Sequence, residues 1–336
     1  MANPLNATFF AFRKREKGGV LGRASLAFLV VAIVLLGAFI AVNIQAIGPI
    51  FGWYGQMISA AGKGGGAASA SMMTPPPAGF LILILSIIPF MFVFYVLFAA
   101  YEAACLRWMI RGETSGGFMG LSLGADTWRV YLTYWIWFGL YMGYSLVSGM
   151  VIGAIFFASF ASGANPADIS VNMGPLFLAS LALRLVFYGV LIYFAVRLAP
   201  AAAITVARRQ FAFFDAWTVT KGRFWALFGA FLIVFLIAFA IEIVIGLVVF
   251  GVAMTGAWSA LMSAGPSPSP EQVSAFFAAI FTPQNFAVVC GAYIVFLALG
   301  LVLYVMFYGI NARAVLAAAE DGKVQVPGIG VAEQFE

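Results

Sequence analysis

Long runs of apolar residues alternate along the chain with short polar segments that hold most of the charged residues. A helix needs about 20 mostly apolar residues to cross the hydrocarbon core of a bilayer, which is about 30 Å thick. Six runs meet this length: Ser25–Ile47, Gly79–Ala100, Tyr131–Ala158, Pro175–Val196, Phe224–Met254 and Phe286–Ile310. The pattern therefore predicts an all-α fold, a polytopic transmembrane helix bundle with six spans.

The composition agrees with this prediction. Hydrophobic residues make up 64% of the chain and charged residues only 9%, whereas a soluble domain carries about 25% charged residues. A soluble protein of this length needs more polar surface than these residues supply. We therefore expect the excess apolar side chains to face lipid.

The Lys and Arg residues predict the orientation of the chain. Of the seventeen, Arg184 lies inside the fourth run and Lys63 between the first two, and the other fifteen lie where an inward N-terminus puts the cytoplasmic segments. Cytoplasmic loops are enriched in Lys and Arg. We predict cytoplasmic termini, a basic N-terminal segment at residues 1–24, a six-span domain at 25–313 and a cytoplasmic tail at 314–336.

Two runs each contain one charge, Arg184 in the fourth and Glu242 in the fifth. Each lies roughly 15 Å from the outer end of its span, at 1.5 Å per residue. An unpaired charge at the centre of a bilayer costs about 2.5–3.5 kcal/mol or more, so we predict that the two side chains pair. Polar side chains at a related depth can support them: Ser180, Tyr188, Ser145 and Ser148.

This pair has two interpretations. It is either a salt bridge that fixes helix packing, or a polar site for an anionic or proton-coupled solute. We favour the salt bridge, because transport pathways tend to hold several intramembrane charges and this pair is single.

A second polar feature is the segment 208–225, called the connector below, in which cations alternate with aromatic residues. Lys and Arg near a helix start attract lipid phosphates, and the alternative is an ordinary amphipathic connector anchored by positive charge. Nucleic acid is not predicted, because a segment pressed on a membrane is poorly placed for bases. The headgroup candidates are Arg208, Arg209, Thr220, Lys221, Arg223 and Trp225.

The third run contains two G-x-x-x-G motifs, Gly139 with Gly143 and Gly149 with Gly153. Small residues at this spacing let helices approach closely in a membrane. The motifs predict that the third span is buried inside the bundle.

The residue types argue against catalysis. The chain has no histidine, which excludes a His-based zinc site, a Ser-His-Asp triad and a Cys-His dyad within it. Four acidic residues near the inner face alternate with arginines, and we interpret them as interfacial ion pairs: Glu102, Glu113, Asp126 and Asp215. We predict no catalytic set, no metal and no cofactor, and an enzyme that uses these carboxylates is the weakest alternative.

The segments Arg197-Leu-Ala-Pro200 and Phe214–Trp225 carry a resemblance. They resemble poorly characterised bacterial multi-pass membrane proteins, including the membrane domain attached to some glycerophosphoryl diester phosphodiesterases. The resemblance implies a bacterial inner-membrane location and contact with lipid. The histidines and metal-binding carboxylates of the soluble phosphodiesterase domain are missing, so it implies no hydrolase activity.

These features together predict a non-catalytic inner-membrane protein that contacts lipid or acts as an accessory or scaffolding component. Its expected partners are anionic lipid headgroups and another protein in the membrane. The main alternative is a small-solute transporter that uses Arg184 and Glu242.

Overall fold

A computed structural model describes residues 4–13, 19–62, 75–114, 117–161, 166–263 and 283–327. Within these ranges the chain forms helices joined by turns, with one isolated bridge between Phe118 and Leu121 and no β-strand. The helices are α1 (Pro4–Thr8), α2 (Phe10–Arg13), α3 (Gly19–Gly62), α4 (Ala78–Leu106), α5 (Ala125–Ala161), α6 (Pro166–Leu198), α7 (Ala201–Arg208), α8 (Ala216–Thr220), α9 (Phe224–Ser263) and α10 (Pro283–Glu320).

Six helices in the described part of the chain are long and apolar enough to cross a membrane, namely α3, α4, α5, α6, α9 and α10. Each contains one of the runs predicted from the sequence. The all-α class and the six spans are confirmed, and the chain is a multi-pass membrane protein by the length and composition of its helices.

Several helices continue beyond the apolar runs. Helix α10 extends to Glu320, and Gly322, at φ 68°, lies in the turn after it. Residues 314–318, which the sequence assigned to the tail, are buried in this extension. Residues 14–18 and 328–336 of the predicted terminal segments lie outside the described residues.

The prediction that the third span is buried is wrong. A Cβ added at Gly139, Gly143, Gly149 or Gly153 would meet no atom within 4 Å. None of the most apolar window of α5 is buried. Small residues permit close approach, but here no other helix of the described chain uses the space.

The chain divides into two compact units. Unit 1 comprises Met1–Val20, Ala99–Phe231 and Phe307–Glu336. Its core combines large side chains, such as Tyr101 and Phe213, with many fully buried alanines. Within it, α5 packs against α6 and α7, and α8 packs against α6. Alanine suits these contacts, because it favours helix and keeps neighbouring backbones close.

Unit 2 comprises Leu21–Phe98 and Leu232–Met306. Its described contacts between α3 and α4 are mainly aromatic, with ring centroids 5.0 Å apart for Phe28 and Phe98 and 4.6 Å apart for Phe39 and Phe90. A Cβ on Gly79 would come within 3.0 Å of the Ala46 backbone. A larger residue at position 79 would therefore push these two helices slightly apart.

Candidate functional site

The connector begins where α7 ends. Arg209 adopts a left-handed conformation, with φ 56°, and its N–H donates to the Val206 carbonyl over 3.2 Å. The Ala212 N–H then donates to the Thr205 hydroxyl over 3.3 Å. A 3-10 turn, Phe213–Asp215, leads into α8, and Gly222, at φ 80°, reverses the chain before α9. The left-handed residues stop each helix and hold the connector in a compact fold.

Several predicted headgroup candidates are engaged within unit 1. Arg208 pairs with Asp215, and Arg209 pairs with Glu113. Arg223 is buried, donates to the Ala317 carbonyl over 2.8 Å and pairs with Asp321. These cations therefore hold the connector to neighbouring segments of unit 1.

The Thr220 hydroxyl is also used inside unit 1. It is buried and lies 3.2 Å from the carbonyl oxygens of both Arg197 and Trp217. Asp321, just after α10, receives a hydrogen bond from Lys323 and faces Arg223, and both interactions hold the pKa of its carboxyl below the ordinary value.

Two candidates, Lys221 and Trp225, have exposed side chains. Trp225 is 76% exposed, and Phe214, also in the connector, is 71% exposed. Phe211 and Trp217 are also exposed in part. The connector thus exposes four aromatic rings and one lysine, a set that we call the aromatic surface: Phe211, Phe214, Trp217, Lys221 and Trp225.

A box of aromatic rings around Arg197 supports this surface. The Arg197 guanidinium lies 5.4, 5.2 and 5.7 Å from the ring centroids of Tyr193, Trp217 and Phe224. It also donates to the Thr220 carbonyl over 3.1 Å. In the sequence, Arg197 was identified only as part of a short motif. The aromatic residues Tyr193, Trp217 and Phe224 were the sequence feature that could have indicated its structural role.

A second group of arginines surrounds Asp126 at the start of α5. Asp126 accepts from Arg111 over 2.6 Å and from Arg129 over 3.1 Å, and Arg107 lies 4.0 Å away. Glu113 lies 2.9 Å from Arg111. We call these residues, together with Arg209, the arginine cluster.

Glu102 differs from the other inner acidic residues. Its carboxylate is buried and accepts a hydrogen bond from the Tyr134 hydroxyl, whereas Glu113, Asp126 and Asp215 pair with arginines. The interpretation as ion pairs therefore fits three of the four acidic residues that the sequence placed near the inner face. Among the described residues, no three His, Cys, Asp or Glu side chains are close enough to hold a metal.

The intramembrane charges lie in different units, Arg184 in unit 1 and Glu242 in unit 2. Both side chains are exposed on their helices. Their pairing stays a prediction.

Of the polar residues expected to support this pair, Ser180 is buried and donates to the Phe177 carbonyl over 2.8 Å. Tyr188 is exposed. The Ser148 hydroxyl donates to the Ser145 carbonyl over 3.2 Å. The hydroxyls of Ser180 and Ser148 therefore donate hydrogen bonds to carbonyl groups of their own helices.

Unit 1 also contains an open cleft of about 570 Å³ at the start of the connector. Arg208 and Gln210 line one part of it, and Gln325, Val326 and Pro327 line another.

Comparison of the chain with protein-family models, with curated proteins and with solved structures finds no match. The class of this protein is therefore the one defined by its helices, an all-α multi-pass membrane protein. The resemblance to phosphodiesterase membrane domains stays a prediction.

Proposed function

We propose that the chain is a non-catalytic accessory component of a bacterial inner membrane and that the aromatic surface of its connector contacts anionic lipid. In this proposal both termini lie in the cytoplasm. The distribution of Lys and Arg supports that orientation, because fifteen of the seventeen fall on one side of the predicted spans.

The exposure of the aromatic surface is the observation that carries the proposal. Trp225 and Phe214 are mostly exposed, and the exposed Lys221 lies in the turn between α8 and α9. Tryptophan prefers the membrane interface, where its ring meets apolar groups and its N–H meets polar ones. A cation at the same level attracts anionic headgroups.

The ion pairs of the connector add a second argument. Arg208, Arg209 and Arg223 are bound to carboxylates, and the Arg197 box contacts the rings of Trp217 and Phe224. A surface that is already ordered loses little conformational entropy when a lipid binds. The connector is therefore suited to hold lipid at a fixed position.

The test measures which lipids stay with the purified protein. Native mass spectrometry in mild detergent would count the phosphatidylglycerol and phosphatidylcholine molecules that stay bound. The protein would be compared with the double variant Lys221→Gln with Trp225→Ala. Each cation near a membrane surface contributes about 1 kcal/mol. The loss of Lys221 alone should therefore weaken phosphatidylglycerol binding about fivefold, and the loss of Trp225 should add to this effect.

Lys63→Gln is the matched control, because it removes the same charge from the segment that the sequence assigns to the opposite side. It should retain phosphatidylglycerol like the unchanged protein. Equal retention in all three proteins, or no preference for the anionic lipid, would contradict the lipid proposal.

The orientation has its own test. In a Cys290→Ala background, Lys63→Cys and Lys323→Cys would be treated in intact spheroplasts with a thiol reagent that cannot cross membranes. We expect reaction at position 63 and not at 323, and the remaining Cys105 is buried. Labelling at 323 in intact spheroplasts would place the C-terminus outside and overturn this part of the proposal.

Arg184 and Glu242 favour transport of a small solute as a second candidate. Both are exposed charges on membrane-length helices, and such charges mark solute pathways in many membrane proteins. If they line a pathway, Arg184→Met with Glu242→Met should fold normally but lose solute flux in vesicles. Unchanged flux in the folded double variant would remove this candidate.

A further inference from the structure

The arginine cluster differs from the other ion pairs of unit 1 in its excess of positive charge. Helix α4 ends in a single π-helical turn, Arg107–Arg111, followed by Gly112 at φ 68°. Side chains four positions apart lie on one face of a helix, and π-turns often occur at functional sites. Here the turn brings Arg107 and Arg111 to the same Asp126 carboxylate, which Arg129 also contacts.

The hydrogen-bond donors of these arginines outnumber the acceptors around them. Arg111 uses its terminal nitrogens for the Val206 carbonyl, Asp126 and Glu113. The Nε and Nη2 atoms of Arg107 and the Nε atom of Arg111 are buried with no acceptor among the described residues. Arg107 is only 8% exposed. A buried charged donor without an acceptor is costly, so a further acceptor at these atoms would stabilise the cluster.

The charges define what kind of acceptor fits. Four arginines, including Arg209, face two carboxylates, those of Asp126 and Glu113, which leaves an excess of two positive charges. The start of α5 adds unpaired backbone N–H groups and the positive end of its dipole. Guanidinium groups bind phosphate oxygens through paired hydrogen bonds, and a helix start also favours phosphate.

We propose that Arg107, Arg111 and Arg129 bind a phosphate group, carried either by a lipid headgroup or by free phosphate. The lipid source rests on the function proposed above, whereas the free-phosphate source does not. The group enters beside Arg129, Arg209 and Glu113, whose side chains are partly or largely exposed. The Glu113 carboxylate pairs with Arg111 and Arg209 and therefore competes with an incoming phosphate for these guanidinium groups.

Two probes distinguish the sources, inorganic phosphate added to the protein in a phosphate-free maltoside detergent, and phosphatidylglycerol added to the same micelles. The measurement is the unfolding midpoint and the apparent Kd derived from its dependence on ligand, with ionic strength held constant by chloride. A ligand that binds only the folded state raises this midpoint. Stabilisation by inorganic phosphate identifies the free ion as a ligand, and stabilisation by phosphatidylglycerol alone identifies the lipid.

Two variants of the arginine cluster should change the affinity for phosphate in opposite directions. Arg129→Gln removes a partly exposed guanidinium and should weaken binding roughly tenfold or more. Glu113→Gln removes the competing carboxylate and should tighten binding, a gain that misfolding cannot produce. Arg313→Gln is the matched control, because Arg313 also pairs with one carboxylate, that of Glu320, and its side chain is 29% exposed against 32% for Arg129. It should bind like the unchanged protein.

The outcomes separate this site from the connector. No stabilisation of the unchanged protein by either probe, or equal binding by the Arg129 and Glu113 variants, would overturn the phosphate site. If phosphatidylglycerol binding is lost in Lys221→Gln with Trp225→Ala, and Arg129→Gln changes the binding of neither probe, the connector contact stands and the phosphate site is refuted. The reverse result supports the phosphate site and refutes the connector contact.

Discussion

Unit 1 and unit 2 differ in the kinds of side chain that they bury. Unit 1 buries charged groups, among them Glu102, Arg107, Asp126 and Arg223, and supplies most of them with partners from distant parts of its sequence. In unit 2 the described interior is apolar, and Asn43 is its one buried polar side chain among the described residues. Its amide accepts from Ser86 over 2.9 Å.

The difference follows from the cost of removing polar groups from water. A buried charge needs a partner of opposite charge and hydrogen bonds for its remaining atoms, and losing one partner leaves the other without compensation. Helices that face lipid gain little from apolar contacts and depend on close packing and a few hydrogen bonds. We therefore expect single substitutions to cost more in the charged core of unit 1 than at the polar contact of unit 2.

The largest effect is expected for Asp126→Ala, because it leaves Arg107, Arg111 and Arg129 facing one another without their shared carboxylate. Breaking such a buried pair costs about 3–5 kcal/mol, measured as the free energy of unfolding by denaturant in mixed micelles. The control is Asp215→Ala, which removes an exposed partner of Arg208 and should cost below about 1 kcal/mol. Similar losses in both variants would contradict the expectation that unit 1 depends on its buried ion pairs.

The next effect is expected in unit 2 for Phe98→Ala. Its ring centroid lies 5.0, 5.2 and 5.5 Å from those of Phe28, Phe94 and Tyr304. Phe98 is only partly covered, so we expect a loss of about 2–3 kcal/mol, less than for a fully buried ring. Val93→Ala, at an exposed position of α4, should change stability by less than about 0.5 kcal/mol. Equal losses would show that the aromatic contacts do not stabilise unit 2.

Arg197→Lys tests the aromatic box of unit 1 without removing its charge. Lysine lacks the planar group that stacks on Tyr193, Trp217 and Phe224, so we expect a loss of about 1–2 kcal/mol in the same unfolding measurement. Arg208→Lys keeps a partly exposed ion pair and should have a smaller effect. If Arg197→Lys is as stable as the unchanged protein, charge alone explains the contact.

The contact between Asn43 and Ser86 should be weak although it is partly buried. Hydrogen bonds between membrane helices contribute about 0.6 kcal/mol on average. A double-mutant cycle of Asn43→Ala and Ser86→Ala should give a coupling energy near this value. A coupling above about 2 kcal/mol, beyond the largest measured for such bonds, would mean that unit 2 depends on polar contacts as much as unit 1 does.

The smallest effect is expected for the exposed carboxylate of Asp321. Its pKa is below the ordinary 3.8, because Lys323 donates to it and Arg223 faces it. A lowered pKa means that the group stabilises the fold above about pH 4 and loses this contribution as the pH falls through its folded pKa. The stability difference between the protein and Asp321→Asn should therefore be present at neutral pH, decrease with salt and vanish in acid.

The sequence predicted the helices and their number well, because apolar runs of membrane length have few other uses. It was less informative about which helix faces which neighbour. The G-x-x-x-G motifs of α5 allow close packing, but Gly139 and Gly143 have no neighbour within 4 Å of a Cβ position. A motif describes what a surface permits, and only the rest of the fold decides whether that surface is covered.

The candidate site shows the same limit. The connector was found from its alternating cations and aromatic residues, whereas the arginine cluster was not, because Arg107, Arg111 and Arg129 meet through a π-turn and the start of another helix. No local sequence pattern predicts the π-turn or its contact with the start of the next helix. Scattered acidic residues near arginines were interpreted as ion pairs, and Glu102 was the exception, since its neighbour is a tyrosine.

Hydrophobic periodicity and the count of apolar residues were enough to establish an all-α protein with six membrane-length helices, because the bilayer imposes that length on any helical span. Folding in three dimensions decided which cations of the connector are held by carboxylates and which side chains stay exposed. It also assembled the arginine cluster around Asp126. Several of these choices depend on contacts between residues far apart in the chain, such as Arg209 with Glu113 and Arg223 with Asp321, which local sequence does not predict.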